Sequence, residues 1–272
     1  MKFTFSPLHR EHAPEQIMVR GTMVPNLEAP ARADALLKQL LAQDHEQVAP
    51  QGWGQEWIAA VHDAGYLEFL STAHERWREL PNTTPLIHPH AFAHYSSRRR
   101  PLSIQGQVGY YLAGGSSPVA EGTWTAAVGS AHAALEASKL VLEGEREAYA
   151  LCRPPGHHAY ADFGGGFCYL NNVAIAANYM ASKLGRVAIL GIDTHHGNGT
   201  QSIFYQRGDV HFVSVHGDPN VLFPFYAGYA DERGEGEGEG HNLNLPLPLK
   251  SEDPAWLGAI DQGMASIQAY AP

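Results

Sequence analysis

Apolar residues recur at helical spacing through 28–43, where Leu36, Leu37, Leu40 and Leu41 fall on neighbouring turns. They do so again through 55–80, where Trp57, Val61, Phe69, Leu70, Ala73 and Trp77 form similar stripes interrupted near Gly65. Both segments are predicted to be packed helices. From 81 to 121 the periodicity lapses into proline, serine and glycine with a basic run, Arg98-Arg99-Arg100, read as a solvated basic face. The spacing predicts a long inserted excursion there, and loops of that length usually carry function or form an interface. Helical spacing returns at 122–143, with Trp124, Val128, Ala131, Leu135 and Leu142 on the expected inner side. Short apolar runs then alternate with helical ones: a strand at 147–152, a helix at 171–184, a strand at 187–192, a helix at 199–206 and a strand at 210–216. A strand at 242–249 and a helix at 253–270 follow. Just before that strand, Glu235-Gly236-Glu237-Gly238-Glu239-Gly240 reads as a flexible solvated loop without chemistry.

Strand and helix in alternation are the grammar of a parallel α/β sheet. Crossovers in such sheets are right-handed, and ligands lie outside the carboxyl ends of the strands. The loops 153–167, 193–199 and 216–226 are therefore expected at one rim.

At 272 residues and 44% hydrophobic content, one large core and a single α/β domain are expected. The balance of 18 basic against 28 acidic groups, net −10, argues against a nucleic-acid surface and allows cationic ligands to be drawn in. Two cysteines, Cys152 and Cys168, cannot make a disulfide framework, so a reducing compartment is expected. The first fifteen residues have no apolar signal-like stretch and no run approaches eighteen apolar residues. No membrane partner is expected, and cytoplasm follows by elimination.

The chemistry concentrates at the strand ends. Asp193 and His195 stand two apart directly after an apolar strand, so their side chains leave on the same side and can converge on one divalent cation, zinc or ferrous iron by donor type. A lone D-x-H is more often an ordinary strand-to-loop turn. The first rim loop, Arg153-Pro154-Pro155-Gly156-His157-His158, aims two imidazoles by means of a restrained proline pair. One of them can take a proton from a water made acidic by the metal, while the other, held cationic, stabilises negative charge or protonates a leaving amine. Metal-assisted amide hydrolysis fits this set. The triple glycine before Phe167 has neither form of phosphate-cradle context and is read as allowing close backbone approach to a substrate. Phe167 and Phe223, from different loops, could wall a narrow channel for an aliphatic chain, or simply pack in the core.

Taken in order, R-P-P-G-H-H, G-G-F-C-Y-L-N-N, D-T-H-H-G-N-G-T-Q and S-V-H-G-D-P closely resemble the histone deacetylase superfamily. Within it they look most like the class II-like branch of bacterial acetylpolyamine amidohydrolases. The resemblance begins at V-P-N-L-E-A-P-A-R-A from Val24, takes in V-H-D-A-G-Y-L and G-Q-V-G-Y-Y, and reaches the last residue. It implies an arginase/deacetylase-like three-layer α/β/α fold on a central parallel sheet. It also implies zinc held by Asp193 and His195, His157 and His158 as the acid/base and electrostatic pair, a substrate amide accepted by the Gly166 carbonyl, and a tunnel flanked by Phe167 and Phe223. A monovalent cation such as K+ is implied behind the zinc, at Asp193, His195 and the backbone around Ser214 and Val215. A second such site is implied near Phe204, Arg207 and Val210. In that branch the long excursion supports a homodimer.

Departures from the family pattern alter these expectations. The third zinc ligand, an aspartate, and the oxyanion-binding tyrosine would fall beyond Pro272, so the C-terminal part of the domain is expected to be missing and activity impaired. Position 191 is Gly where relatives carry an aspartate that orients the first tandem histidine. Gln105 and Ser116 replace glutamates that greet a cationic substrate, leaving either an acetylpolyamine or an acetyl-lysine side chain as substrate. Gly197, where the related arginases place an acid for a second manganese, favours one metal. The activity implied is zinc-dependent hydrolysis of an acetylated primary amine to free amine and acetate. The alternative is a catalytically silent binding or assembly protein of the same fold.

Overall fold

A computed structural model describes residues 1–93 and 99–272, so Arg98 of the basic run lies outside the described residues. The chain divides into two compact units, Met1–Ala176 and Ala177–Pro272.

In chain order the first unit holds strands β1 (Lys2–Phe5), β2 (Gln16–Val19) and β3 (Thr22–Pro25), helix α1 (Pro30–Ala42), strand β4 (Glu46–Val48), helices α2 (Glu56–Ala59), α3 (Ala64–Arg78), α4 (Ile104–Tyr111) and α5 (Thr123–Leu142), and strand β5 (Ala148–Leu151). β4, β1 and β5 form a parallel sheet with β1 in the middle, while β2 and β3 make a separate antiparallel hairpin. Alternation along β1 sets the layering. Phe3 and Phe5 point to one face, where they join Ala33, Leu37 and Leu40 of α1 and Leu151 in a buried cluster. Thr4 points to the other, where its hydroxyl donates to the Ala133 carbonyl of α5 at 2.7 Å. Helices therefore cover both faces of this sheet, the arrangement a parallel sheet requires.

The four N-terminal strands escaped the periodicity because they are only three or four residues long. The break predicted near Gly65 occurs just before it, where Asp63 caps α3 by accepting from the Gly65 and Tyr66 amides at 2.8 and 3.2 Å. The 81–121 segment carries α4, which packs on α3 through Tyr111 stacked on Phe69 at 5.0 Å. Its Ile87 also pairs with Val119 in an antiparallel bridge. On α5 Ala131 and Leu135 are buried as expected, but most other deeply buried positions are small residues such as Ala126, Ala127, Ser130 and Ala133, whereas Trp124, Val128 and Leu142 are only half-buried. A helix pressed against a sheet at close range selects small side chains, which a search for large apolar residues overlooks.

Helix α6 (Asn172–Leu184) begins in the first unit and leads into the second, which adds β6 (Val187–Gly191), α7 (Asn198–Phe204), β7 (Val210–Gly217), β8 (Asn242–Leu247) and α8 (Asp253–Tyr270). These three strands are parallel in the order β6–β7–β8, with Gly191 opposite Ser214. All eight residues of β7 are buried, as befits a central strand covered on both faces. On one face Gly263 lets α8 sit down: a Cβ there would stand 2.9 Å from Val213 and 3.4 Å from Leu190. On the other, Phe212, Ser214 and His216 alternate toward the side that holds His196. The glycine–glutamate stretch is a solvent-exposed turn, as expected, except at Gly238. Gly238 is buried where a Cβ would overlap the Tyr205 carbonyl, and the Glu235 amide donates to that carbonyl at 2.8 Å. Its glycines serve backbone proximity and left-handed turns, with φ of +58° at Gly236 and +81° at Gly240. Among the described residues no helix is long and apolar enough to cross a membrane.

Candidate active site

In the first unit the tandem histidines sit on a loop tied down from four directions. Arg153, 3% exposed, donates to the carbonyls of His9, His12 and Glu28 at 2.6, 2.8 and 3.0 Å, and its Nε lies 3.0 Å from the Glu28 carboxylate. Burial pushes the Glu28 carboxyl up and the Arg153 guanidinium down, each opposed by the other's charge. The Pro154 carbonyl accepts from Ser130 at 2.9 Å and from Asn172 at 3.1 Å. Asn171 holds the far end by donating to the Ala159 carbonyl, and its own amide donates to His62 Nε2, both at 2.9 Å. Burial lowers the His62 imidazole to about 4, so it stays a neutral acceptor. The loop's product is a close imidazole pair: the His157 and His158 rings lie 3.9 Å apart, with His158 buried and His157 half-buried.

The glycine run closes over this pair. Gly166 has a φ of +55° and presses on His158 so tightly that a Cβ would overlap the imidazole Cγ and Cδ2. Gly164 pairs with the strand-like end of α4: its amide donates to Tyr111 and its carbonyl accepts from Ala113, at 2.9 and 2.8 Å. Phe167, itself at φ +68°, is fixed by its amide, which donates to the fully buried Ser117 hydroxyl at 2.8 Å. Ser117 is a site-supporting residue that sequence reasoning missed, since no spacing rule links positions fifty apart. Gln105 and Ser116, by contrast, bring no carboxylate to this segment. The buried phenols of Tyr66 and Tyr169 are both pushed up by burial, and each donates to a carbonyl at 2.6 Å, so both are structural donors.

In the second unit β6 ends at Gly191 and delivers Asp193 and His195 to the following turn. Asp193 Oδ1 accepts from the His195 amide at 2.8 Å and faces His195 Nδ1 at 3.2 Å. Two ligands on a tetrahedral zinc with bonds near 2.0–2.2 Å stand about 3.4 Å apart, so this oxygen and nitrogen already span one edge of such a site. The donor set fits zinc at that edge. Among the described residues no group of three or more His, Cys, Asp or Glu side chains gathers at one point. The turn is anchored by the Gly217 amide, which donates to the Thr194 carbonyl at 2.9 Å. Phe223 stands edge-on to His195, ring centroids 6.2 Å apart, and Phe225 is 6.2 Å beyond it.

Behind them His196 is fully buried, 4.6 Å from the His216 ring. His216 lies 2.9 Å from both the Gly228 carbonyl and the Ser214 hydroxyl, so its Nε2 donates to the carbonyl and its Nδ1 accepts from the hydroxyl. Of the positions implied for monovalent cations, Ser214 and Val215 lie in β7, and Phe204, Arg207 and Val210 lie where α7 passes into β7. Arg207 is committed there to Asp209 at 2.6 Å and Asn178 at 2.8 Å. The structure thus brings together His157, His158, Gly166 and Phe167 in the first unit and, separately, Asp193, His195 and Phe223 in the second.

The profile of the histone deacetylase domain family matches residues 26–272, running through both units. The chain belongs to the histone deacetylase domain family. Acetylpolyamine amidohydrolase 1 of Pseudomonas aeruginosa is 45% identical over all of this chain and 80% of its own length. The acetylpolyamine amidohydrolase of Mycoplana ramosa is 40% identical over 99% of this chain and 80% of its own length. The crystal structure of acetylpolyamine aminohydrolase from Burkholderia pseudomallei superposes with a TM-score of 0.96 at 43% identity, covering all of this chain and 79% of that one. The α/β histone deacetylase fold expected from the motifs is therefore the fold of this chain.

Proposed function

We propose that this protein hydrolyses the amide of an acetylated primary amine, an acetylpolyamine or an acetyl-lysine side chain, to free amine and acetate with the help of one zinc ion. The carrying observation is the 3.2 Å face-to-face placement of Asp193 Oδ1 and His195 Nδ1 on the turn after β6, an oxygen–nitrogen edge suited to that ion. Family membership, and relatives of 40–45% identity named as acetylpolyamine amidohydrolases, support the substrate class. Zinc, when bound, polarises an acyl carbonyl and makes water acidic enough to attack at neutral pH.

The residues of the chain do the rest. His157 and His158 are the acid/base and electrostatic pair: one imidazole takes the proton of the attacking water, and the pair returns a proton to the departing amine nitrogen. Gly166, turned by its positive φ, offers its carbonyl to the amide N–H of the substrate. Phe167 and Phe223 exclude water from the aliphatic stem. The same reading places the protein in the cytoplasm as a homodimer, with K+ at the Ser214–Val215 and Phe204–Val210 positions.

Metal analysis and hydrolysis test it together. Native protein titrated with zinc is expected to bind one equivalent and to cleave acetylputrescine or an acetyl-lysine peptide. Asp193→Ala is expected to bind zinc at least about 100-fold more weakly, beyond the loss seen when only a supporting partner is removed. Equal zinc affinity in the two proteins would sink the proposal.

A further inference from the structure

We infer that Glu232 is a positioning residue that holds the loop 217–231, and through it Phe223 and the His195–His196 segment, in working register. Its Oε2 gathers four N–H donors: Gln201 Nε2 at 2.8 Å, the Gly228 and Tyr229 amides at 2.8 and 3.1 Å, and Asn244 Nδ2 at 3.2 Å. Its own carbonyl accepts from Asn242 Nδ2 at 2.7 Å. Gln201 Oε1 completes the network by accepting from both Asn242 and Asn244, at 3.1 and 2.8 Å. One carboxylate oxygen thus links α7, β8 and the rim loop. Several N–H donors converging on one carboxylate oxygen make a strong tie, since hydrogen bonds to a carboxylate are about twice as strong as neutral ones.

The loop it holds reaches the metal-binding turn by packing. Gly228, pinned by Glu232 at its amide, has a φ of +106° and is wedged so closely that a Cβ would stand 2.8 Å from both His196 Cγ and His216 Nε2. Its carbonyl accepts from His216 at 2.9 Å, and the His216 ring lies 4.6 Å from that of His196. His196 is the immediate neighbour of His195. Five residues upstream of Gly228, Phe223 stands edge-on to the same His195. Releasing Glu232 would therefore loosen two things at once, the tunnel wall and the backing of a zinc ligand. Glu232 moves no proton in this scheme.

The structural half of the inference is independent of the deacetylase reading, whereas its catalytic half rests on it. The experiment separates them, using the full chain and the variants Glu232→Gln, which keeps the shape, and Glu232→Ala. Amide hydrogen exchange across 217–231 is expected to rise more than about 10-fold in both, with exchange in β1 and β5 unchanged. Zinc retention against a chelator is expected to fall about 10-fold, the effect of a supporting partner. At saturating zinc the KM for acetylputrescine is expected to rise about 10-fold with kcat altered less than about 3-fold, the mark of lost wall contacts rather than lost chemistry. Unchanged loop exchange in Glu232→Gln overturns the inference whatever the activity. Faster loop exchange with native zinc retention and native KM overturns the coupling to the site. If the native protein cleaves no acetylated amine, the proposed function fails, and exchange with zinc retention still decides the role of Glu232.

Discussion

Replacing Arg153 by Met removes the cation that anchors the histidine loop while nearly preserving its length and apolar stem. The variant leaves the Glu28 carboxylate, 6% exposed, with the more distant Arg32 guanidinium at 3.7 Å, and leaves the carbonyls of His9, His12 and Glu28 without the donors now at 2.6, 2.8 and 3.0 Å. Breaking a buried ion pair from one side costs about 3–5 kcal/mol, because the remaining charge stays desolvated. About 4 kcal/mol is a large part of the 5–15 kcal/mol that holds an ordinary domain together. Adding Glu28→Gln removes the buried charge, so the double variant should recover about 2 kcal/mol, a coupling normal for residues in contact. Urea unfolding followed by tryptophan fluorescence suits the test, since Trp53, Trp57, Trp77 and Trp124 all lie in the first unit and Trp256 alone in the second. A loss below about 1 kcal/mol for Arg153→Met, or strict additivity with Glu28→Gln, would refute the claim that the pair is buried and mutually dependent.

Two further outcomes follow from the same loop. Gly166→Ala sets a Cβ into the His158 ring at a backbone φ of +55°, so turnover should fall about 100-fold through displacement of the imidazole, with native zinc binding; turnover within 2-fold of native would contradict the contact. His62 titrates at about 4 in the fold against 6.5 ordinarily, lowered by burial, so the unfolded chain binds the proton first. Its contribution, up to about 3 kcal/mol, is whole above pH 6.5 and is lost as pH falls from 6.5 to 4. Stability measured against pH should therefore fall more steeply over that window in the native protein than in His62→Gln, and parallel curves would exclude His62 as the cause.

Much was legible in the chain because it is local. The strands 187–192, 210–216 and 242–249 and the helices 171–184 and 253–270 announce themselves by continuous apolar runs and helical stripes, and appear within a residue or two of their expected ends. The D-x-H turn and the tandem histidines follow from the period of a strand and the stiffness of proline. What eluded this reading is what local pattern does not encode. β1 and β4 are too short to show alternation and are strands because β1 pairs with β5 on one side and with β4 on the other. The glycine–glutamate stretch has the composition of a solvent loop and is largely exposed, yet Gly238 must be small because it packs against the Tyr205 and Arg207 backbone.

By itself the sequence determined the chemistry on offer: an oxygen–nitrogen pair for a metal, two imidazoles, a flexible glycine run and aromatic walls, in the order of a known family. Tertiary structure alone decided which groups support them. Arg153 with Glu28, Ser117 beneath Phe167, and Glu232 with Gln201, Asn242 and Asn244 are polar residues whose pairing no motif records, even where Arg153, Glu28 and Gln201 stand inside one. They matter because burial makes an unpaired donor or acceptor costly, and each has found its partner across a span of chain that no periodicity can bridge.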